Sequence, residues 1–223
     1  NDRDLLEQTQ VMLWKIYFAK GDLDAAARMC WQLLNSFGDD ADYADEALLQ
    51  LGMVAEEKKD YQRAVGVYKR LLTLKTPYQA ESQFKIAQCY EKMAQPKRAN
   101  EKASRSAYEH ALVEYKKVSD KFPNSKFAAE ATMKIAEFYY KMRDYARACE
   151  IYERALEEYP DSAVRDYLLM NYGKSLLLMR RYPDALKRFN QILSDHPESK
   201  YVGIVRRYIN LTENRMAQEG GEE

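Results

Sequence analysis

The sequence predicts an all-α fold made of repeated helix pairs, and two observations lead to this prediction. The chain has 223 residues with only 8 Gly and 6 Pro, too few turn residues for an all-β protein. A connection of an aromatic residue or His, then Pro, a polar residue and Ser occurs three times, with its prolines 37 residues apart both times: Pro123, Pro160 and Pro197. Each interval contains two helical stretches, so the repeating unit is a helix pair.

An alanine marks the second helix of each pair, and the alanine spacing defines the repeats. Intervals of 38, 47, 37 and 37 residues separate Ala26, Ala64, Ala111, Ala148 and Ala185. One interval is about ten residues too long, which corresponds to roughly three helical turns. The third pair is therefore predicted to have a lengthened second helix over residues 96–122. We expect a single solenoid over 1–218, with a cap helix at 200–217, a disordered tail at 219–223 and five pairs at approximately 5–38, 41–76, 78–123, 125–160 and 163–197.

Aspartates indicate where several second helices begin. The pattern Asp-Tyr-x-x-Ala begins at Asp60 and at Asp144, and a variant begins at Asp22. An Asp side chain can accept a hydrogen bond from the free N–H groups of a first helical turn. In the fifth pair Arg181 occupies this place, and Pro183 suits a first turn whose N–H has no helical partner.

Charge and cysteine content exclude several classes of function. Lys plus Arg and Asp plus Glu both number 35, so the net charge is zero, which argues against a general nucleic-acid-binding protein. The longest uncharged apolar runs, such as Leu176 to Met179, are too short to span a bilayer. The three widely spaced cysteines predict neither a disulfide framework nor a zinc site, and their odd number favours a reducing compartment or buried free thiols.

Residues with catalytic potential do not form a recognisable site. His110 and His196 are 86 residues apart, and no nucleophile or HExxH spacing accompanies them. The scattered glycines form no phosphate-binding loop. We therefore expect no enzymatic activity, no metal and no cofactor.

The repeat resembles the tetratricopeptide repeat, a helix–turn–helix unit of about 34 residues. In the fourth pair, Ile135, Ala136 and Tyr139 match the Leu, Gly and Tyr of that family, and Pro160 matches its Pro. The first pair departs most, because Trp14 stands where a small residue is expected. The resemblance implies a right-handed superhelix in which small residues allow close helix packing. The small packing residues would be Gly52, Ala64, Ala87, Ala111, Ala136, Ala148, Gly173 and Ala185.

The same resemblance implies a concave groove lined by one face of each first helix. Transferred to this chain, the groove residues are Val11, Lys15, Phe18, Leu49, Met53, Glu56, Phe84, Gln88, Glu91, Met133, Glu137, Tyr140, Met170, Lys174 and Leu177. Large apolar residues there alternate with carboxylates, which suits an extended or helical polypeptide segment with apolar anchors and basic residues. The alternative is that the Met and Leu side chains simply pack against neighbouring helices.

The connections of the form YPxSxYxxxA are similar to those of two bacterial periplasmic families. These are the lipoprotein of the outer-membrane β-barrel assembly machine and the coordinator protein of the Tol–Pal system. The paired tyrosines Tyr139 and Tyr140, before Ala148, particularly resemble the assembly lipoprotein, which also has a lengthened helix before such a connection. This resemblance implies a periplasmic scaffold for protein partners, with any lipid anchor outside these residues.

Two other functions stay open at this point, a cytoplasmic adaptor with the same fold and a regulatory fragment of a larger enzyme. The oligomeric state is also open. The lengthened helix at 96–122 is either an element that docks a partner or a structural strut.

Overall fold

A computed structural model of the chain describes residues 2–95 and 105–220, and this part contains eleven α-helices, one short 3-10 helix and no strand. The predicted all-α fold is thereby confirmed. The 3-10 helix is Gly38–Asp40. In chain order the α-helices are α1 (Asp2–Ala19), α2 (Leu23–Phe37), α3 (Ala44–Glu57), α4 (Tyr61–Leu71), α5 (Gln79–Ala94), α6 (Arg105–Lys121), α7 (Ala128–Lys141), α8 (Tyr145–Glu158), α9 (Arg165–Leu178), α10 (Tyr182–Asp195) and α11 (Val202–Gly220).

The chain divides into two compact units, Asn1–Val118 and Ser119–Glu223. In the first unit α1 packs on α2, and α3 packs on α4, which also contacts α5. In the second unit α7 packs on α8 and α9 packs on α10, and α11 covers α10. Odd-numbered helices up to α9 are thus the first helices of pairs, as the repeat predicted. One continuous solenoid over 1–218 stays a prediction.

Two predicted boundaries need correction or fall outside the described residues. The lengthened helix predicted over 96–122 is described from Arg105, and it ends at Lys121; residues 96–104 lie outside the described part. The predicted disordered tail is wrong for residues 219 and 220, which continue α11. Glu219 is held there because its carboxylate accepts a hydrogen bond from the Tyr182 hydroxyl at 2.6 Å and lies 3.3 Å from Arg180. Residues 221–223 are outside the described part.

In the four pairs whose turn the structure describes, the turn is built around one residue in the left-handed region. These residues have φ angles of 59 to 76°, and each immediately precedes the N-cap residue of the next helix: Gly21, Lys59, Arg143 and Arg180. The residue that follows each of them donates its N–H to a carbonyl five positions earlier, for example Asp60 to Ala55 at 2.9 Å and Asp144 to Tyr139 at 3.0 Å. This bond caps the C-terminus of the first helix in the Schellman manner. The hydrogen bond holds even the non-glycine residues in a conformation that they rarely adopt.

The predicted aspartate caps are present in three pairs. Asp22, Asp60 and Asp144 accept hydrogen bonds from backbone N–H groups three residues later, at 2.9, 3.1 and 3.2 Å. Arg181 forms no side-chain cap, and Pro183 lies in the first turn of α10. In these three pairs the left-handed residue that ends the first helix is followed directly by the aspartate that caps the second helix, so the turn between the two helices is short.

In the last of the repeated connections, the Ser organises the approach to the next helix. Ser199 accepts the N–H of Tyr201 at 3.1 Å and donates its hydroxyl to Asp166. Thr76 has the same two roles, with Tyr78 at 3.2 Å and Asp45 at 2.7 Å. Both acidic partners lie in the first turn of a preceding first helix, so each of these connections is tied to its own repeat.

Large aromatic side chains of the second helices fill the space beside small residues of the first helices. Tyr68, Tyr152 and Phe189 are fully buried. A Cβ atom added at Gly52 would lie 2.3 Å from Tyr68 Cε1, and one added at Gly173 would lie 2.5 Å from Phe189 Cε1. The rings occupy the space that any larger residue would need. The other predicted packing residues are also buried: Ala64, Ala87, Ala111, Ala136, Ala148 and Ala185.

Candidate functional site

The predicted groove residues differ widely in their exposure. Five apolar members lie in the core, as the packing alternative expected: Val11, Phe84, Met133, Met170 and Leu177. Lys15 is exposed, and half-buried positions are occupied by Phe18, Leu49, Met53, Glu56, Gln88, Glu91, Glu137, Tyr140 and Lys174. Their neighbours cover most of each of these five side chains, so only the small exposed remainder could contact a partner. The groove as a binding surface stays a prediction, and its polar and half-buried members are the ones accessible to a partner.

Tyrosine hydroxyls hold the three predicted groove carboxylates. Glu56 accepts from Tyr68 at 2.5 Å and lies 3.2 Å from the ammonium of Lys85. Glu91 accepts from Tyr115 at 2.7 Å. These two pairs join the first and second helices of one repeat. The carboxylates therefore have a structural role, and any binding role would add to it.

In the second unit the corresponding hydrogen bond runs between successive first helices. Glu137 of α7 accepts from the Tyr167 hydroxyl of α9 at 2.6 Å. Burial and the Glu137 carboxylate raise the pKa of Tyr167, so its hydroxyl stays protonated and donates. The hydroxyl of Tyr152, buried nearby, has no hydrogen-bond partner among the residues that the structure describes.

The side chain of Lys174, another predicted groove residue of the second unit, lies between two aromatic rings. Its ammonium is 5.1 Å from the ring centroid of Tyr140 and 5.9 Å from that of Tyr208, and it donates to the Asn171 side chain at 3.0 Å. Burial lowers the pKa of Lys174, and the negative charge of Glu137 opposes this shift. The cation is thus held by π faces and one amide.

A groove with a volume of about 530 Å³ lies between α7, the start of α9 and the connection before α11, and we call it the α7–α9 groove. Its apolar part is formed by Met133, Val164, Tyr167 and Tyr201, with the two tyrosine rings 5.6 Å apart. Predicted groove residues Met133 and Glu137 are part of it. The structure adds residues from α9 and the last connection.

The α7–α9 groove has an excess of negative charge. Four carboxylates line it against two ammonium groups: Glu130, Glu137, Asp166 and Glu198 against Lys134 and Lys200. Glu137 and Asp166 are engaged by Tyr167 and Ser199. Within the described residues, Glu130 and Glu198 form no hydrogen bond or ion pair. An apolar floor with unpaired carboxylates at its edge suits a segment that carries a large apolar residue beside Lys or Arg.

Sequence reasoning missed Glu130, Tyr167 and Glu198. Beyond the predicted Met133 and Glu137, the sequence signal for this site is the repeated connection, since Glu198, Ser199 and Tyr201 belong to it. Three segments of the chain converge on this groove, and periodicity within one helix does not show such convergence.

The remaining side chains with chemical potential are in structural surroundings. The ring of His110 lies 5.5 Å from that of Tyr90, beside a cleft of about 490 Å³ between α4, α5 and α6. Burial raises the pKa of the Cys30 and Cys89 thiols to about 12 and that of Cys149 to about 11, so they are protonated at neutral pH. Within residues 2–95 and 105–220, no cluster of three or more His, Cys, Asp or Glu could hold a metal ion.

Among the described helices, none has the length and apolar character needed to cross a membrane.

Solved structures with the same fold come from several bacteria. A tetratricopeptide repeat protein from Parabacteroides merdae is 16% identical with a TM-score of 0.68, covering 96% of this chain and 76% of its own. A fragment of MamA from Desulfovibrio magneticus is 17% identical with a TM-score of 0.62, covering 87% of this chain and 97% of its own. A thermophilic TPR protein of Thermus thermophilus is 20% identical with a TM-score of 0.52, covering 92% and 97%. These similarities confirm the tetratricopeptide fold. A comparison with curated protein sequences found no match.

Two family models match the sequence, and they cover different parts of the chain. A tetratricopeptide repeat model matches residues 47–80. The model described as outer membrane lipoprotein, YfiO, matches residues 96–221, which is more than half of the chain. The chain therefore belongs to the YfiO outer membrane lipoprotein family and is a tetratricopeptide repeat protein.

Proposed function

We propose that this protein is a non-enzymatic scaffold of the bacterial envelope that binds polypeptide segments of other proteins. The observation that carries the proposal is the α7–α9 groove, which combines an apolar floor with two unpaired carboxylates. Tetratricopeptide repeats supply stacked helices whose side chains present such surfaces, and membership of an outer membrane lipoprotein family supports the envelope.

The partner segment is proposed to be extended or helical, with a large apolar side chain and at least one Lys or Arg. The apolar side chain would contact Met133 and the rings of Tyr167 and Tyr201. The basic side chain would face Glu130 and Glu198, which have no partner in the described residues. The zero net charge of the chain gives no support to nucleic acid as the partner.

Reversing the charges of Glu130 and Glu198 tests this site more cleanly than reversing Glu56, Glu91 or Glu137. The latter three hold tyrosine hydroxyls, so their replacement would also disturb the fold. Peptides selected by display of a random library on the wild-type chain are expected to be rich in Lys or Arg beside aromatic or aliphatic residues. The Glu130→Lys/Glu198→Lys variant is expected to bind them about tenfold more weakly, with a reduced salt dependence.

The matched control is the Glu150→Lys/Glu157→Lys variant. It makes the same charge change on exposed positions of α8, outside the α7–α9 groove. Equal loss of affinity in both variants would show a general electrostatic effect and contradict the proposed site. Circular dichroism should be the same for all three proteins.

The proposed compartment is the periplasm, with attachment to the outer membrane through any lipid anchor outside these residues. The alternative of a cytoplasmic adaptor rests on the three cysteines, but all three are buried and protonated, so an oxidising compartment would not readily pair them. Fractionation of cells that express the natural full-length gene should place the protein with the outer membrane. Recovery with the cytosolic fraction would favour the adaptor.

A further inference from the structure

Helix α1 has large apolar side chains on two opposite faces. One face packs into the first unit through Val11 and Trp14, which are 6% and 1% exposed. On the opposite face Leu5, Met12 and Ile16 are 66%, 64% and 48% exposed. A helix at the surface of a protein usually has one apolar face. The second face of α1 is therefore a surface with a different role from the core.

The exposed residues follow the spacing of a coiled-coil seam. Leu5, Thr9, Met12, Ile16 and Ala19 are separated by four, three, four and three residues, and we call this set the α1 seam. A 4-3 spacing keeps side chains in line along a helix that packs against another helix. Leu6, 50% exposed, and Leu13 lie directly beside the seam. The pattern predicts a helix as the occupant of this face.

We propose that the α1 seam pairs with the α1 seam of a second copy of this chain, with the two helices antiparallel. In this register Leu5 of one protomer lies opposite Ile16 of the other, and Thr9 lies opposite Met12. Leu6 and Leu13, which flank the seam, then meet each other across the same interface. The seam is complementary to itself about a two-fold axis, so the contact closes as a dimer.

Charge supports the antiparallel direction. The first turn of α1 contains Asp2 and Asp4, while the charge of Arg3 between them is paired with Glu7, and the C-terminal end of α1 is followed by Lys20. Antiparallel pairing brings the acidic end of each helix to the basic end of the other. Parallel pairing would place Asp2 beside Asp2 and Lys20 beside Lys20. The helix dipoles favour the same choice, because opposite ends then lie together.

The size of the seam sets the expected strength. Helix α1 has 18 residues, which corresponds to about 27 Å of helix. A single helix pair of this length is a small interface, at the low end of those that give specific complexes. The dimer is therefore concentration-dependent and exchanges rapidly with monomer.

Sedimentation equilibrium of the full chain over roughly 1 to 100 µM tests the dimer, and the weight-average mass should rise toward twice that of the monomer. The Leu5→Glu/Met12→Glu variant should stay monomeric over the same range, with unchanged helix content because both positions are exposed. Val113→Glu, at a 51% exposed apolar position on α6, is the matched control and should dimerise like the wild type. A wild type that is monomeric throughout, or a seam variant that still dimerises, would overturn the proposal. The first result would leave a helix of another polypeptide as the occupant.

Cross-linking determines the direction of the pair. A mixture of Leu5→Cys and Ile16→Cys proteins should form a disulfide between the two different chains, while Leu5→Cys alone should form almost none. The native cysteines do not interfere, since all three are buried. Efficient cross-linking of Leu5→Cys alone would indicate parallel helices and contradict the proposed register. Peptide binding by the α7–α9 groove is measured separately, so failure of the dimer leaves the proposed function unaffected.

Discussion

The two units differ in how they satisfy the buried hydroxyl group of an equivalent tyrosine, Tyr68 in the first unit and Tyr152 in the second. In the first unit the hydroxyl of Tyr68 donates to Glu56, four residues after Gly52 on α3. In the second unit Tyr140 occupies the place of Glu56, and the hydroxyl of Tyr152 has no partner among the described residues. Both of these repeats use a tyrosine ring to fill the same space, but the tyrosine hydroxyl is hydrogen-bonded only where the neighbouring helix supplies a carboxylate.

The second unit also has a glutamate near this place, but it lies about one helical turn earlier on the first helix. Glu137 precedes Tyr140 on α7 and receives the hydroxyl of Tyr167 from the next first helix. The first unit therefore uses its glutamates to join the two helices of one repeat, and the second unit uses Glu137 to join successive repeats. This difference brings Tyr167 to the α7–α9 groove and shapes its floor.

The largest effects are expected from filling the space beside the rings. Gly52→Ala and Gly173→Ala would each place a methyl group against a buried ring, so each should lower the free energy of unfolding by about 1–3 kcal/mol. Urea denaturation measures this loss. Gly66→Ala is the control, because its added Cβ would meet no atom within 4 Å apart from its chain neighbours and the backbone of its own helix, and it should raise stability by about 0.5–1 kcal/mol. Equal behaviour of all three variants would contradict the packing role.

Removing the hydroxyl of Tyr68 and that of Tyr152 in separate variants compares a hydrogen-bonded buried hydroxyl with one that has no described partner. Tyr68→Phe should cost about 1–2 kcal/mol, because Glu56 then loses a hydrogen bond in half-buried surroundings. Tyr152→Phe removes a buried hydroxyl without a described partner, so stability should be unchanged or about 0.5–1 kcal/mol higher. Both changes are read from urea unfolding curves at pH 7. A Tyr152→Phe loss as large as that of Tyr68→Phe would show that this hydroxyl has a partner in solution.

A smaller effect is expected at the connections. Asp166→Ala removes the acceptor of the Ser199 hydroxyl and a negative charge from the first turn of α9, which should cost about 1 kcal/mol. Asp45→Ala should cost a similar amount in the first unit through Thr76. The control is Glu157→Ala on the outer side of α8, which should change stability by less than about 0.5 kcal/mol. Thermal unfolding followed by circular dichroism is the measurement, and a smaller loss at Asp166 than at Glu157 would contradict the proposed link.

The smallest effect is expected from thiol reagents in the folded state. Burial raises the pKa of Cys30, Cys89 and Cys149 above the ordinary value of 9.0, so at pH 7 each thiol is protonated in both units. Labelling by iodoacetamide at pH 7 should be almost absent until urea unfolds the chain. The pKa of the thiol is raised only in the folded state, so the unfolded chain loses the thiol proton first as the pH rises. The contribution of the buried, protonated thiol to the free energy of unfolding is therefore fully present below pH 9 and decreases as the pH rises from 9 toward 12. Rapid labelling of one cysteine without denaturant would reveal local opening of its unit.

Much of the fold follows from residue types at fixed spacing. The alanine intervals predict the helix pairs, and the sequence predicts Asp22, Asp60 and Asp144 as caps because capping depends on local geometry. The left-handed turn residues were harder to recognise, since only Gly21 has the expected residue type. Lys59, Arg143 and Arg180 adopt that conformation because the hydrogen bond after each of them encloses the turn.

The candidate site depended much less on local pattern. The family resemblance predicts Met133 and Glu137, but their neighbours Tyr167 and Glu198 come from segments about 30 and 60 residues away. The exposure of the α1 seam could not be read from sequence either, because its spacing is equally suitable for a buried face.

The residue pattern along the chain is enough to predict an all-α chain of helix pairs, their approximate boundaries and the small residues at which the helices pack. These properties depend on short-range spacing, helix capping and side-chain volume, which act within one or two helices. The packing of the helices is needed to know which carboxylates accept hydrogen bonds from tyrosines, which carboxylates lie unpaired at the α7–α9 groove and which face of α1 is exposed. Those outcomes depend on distances between segments far apart in the chain, and such distances exist only once the helices have packed.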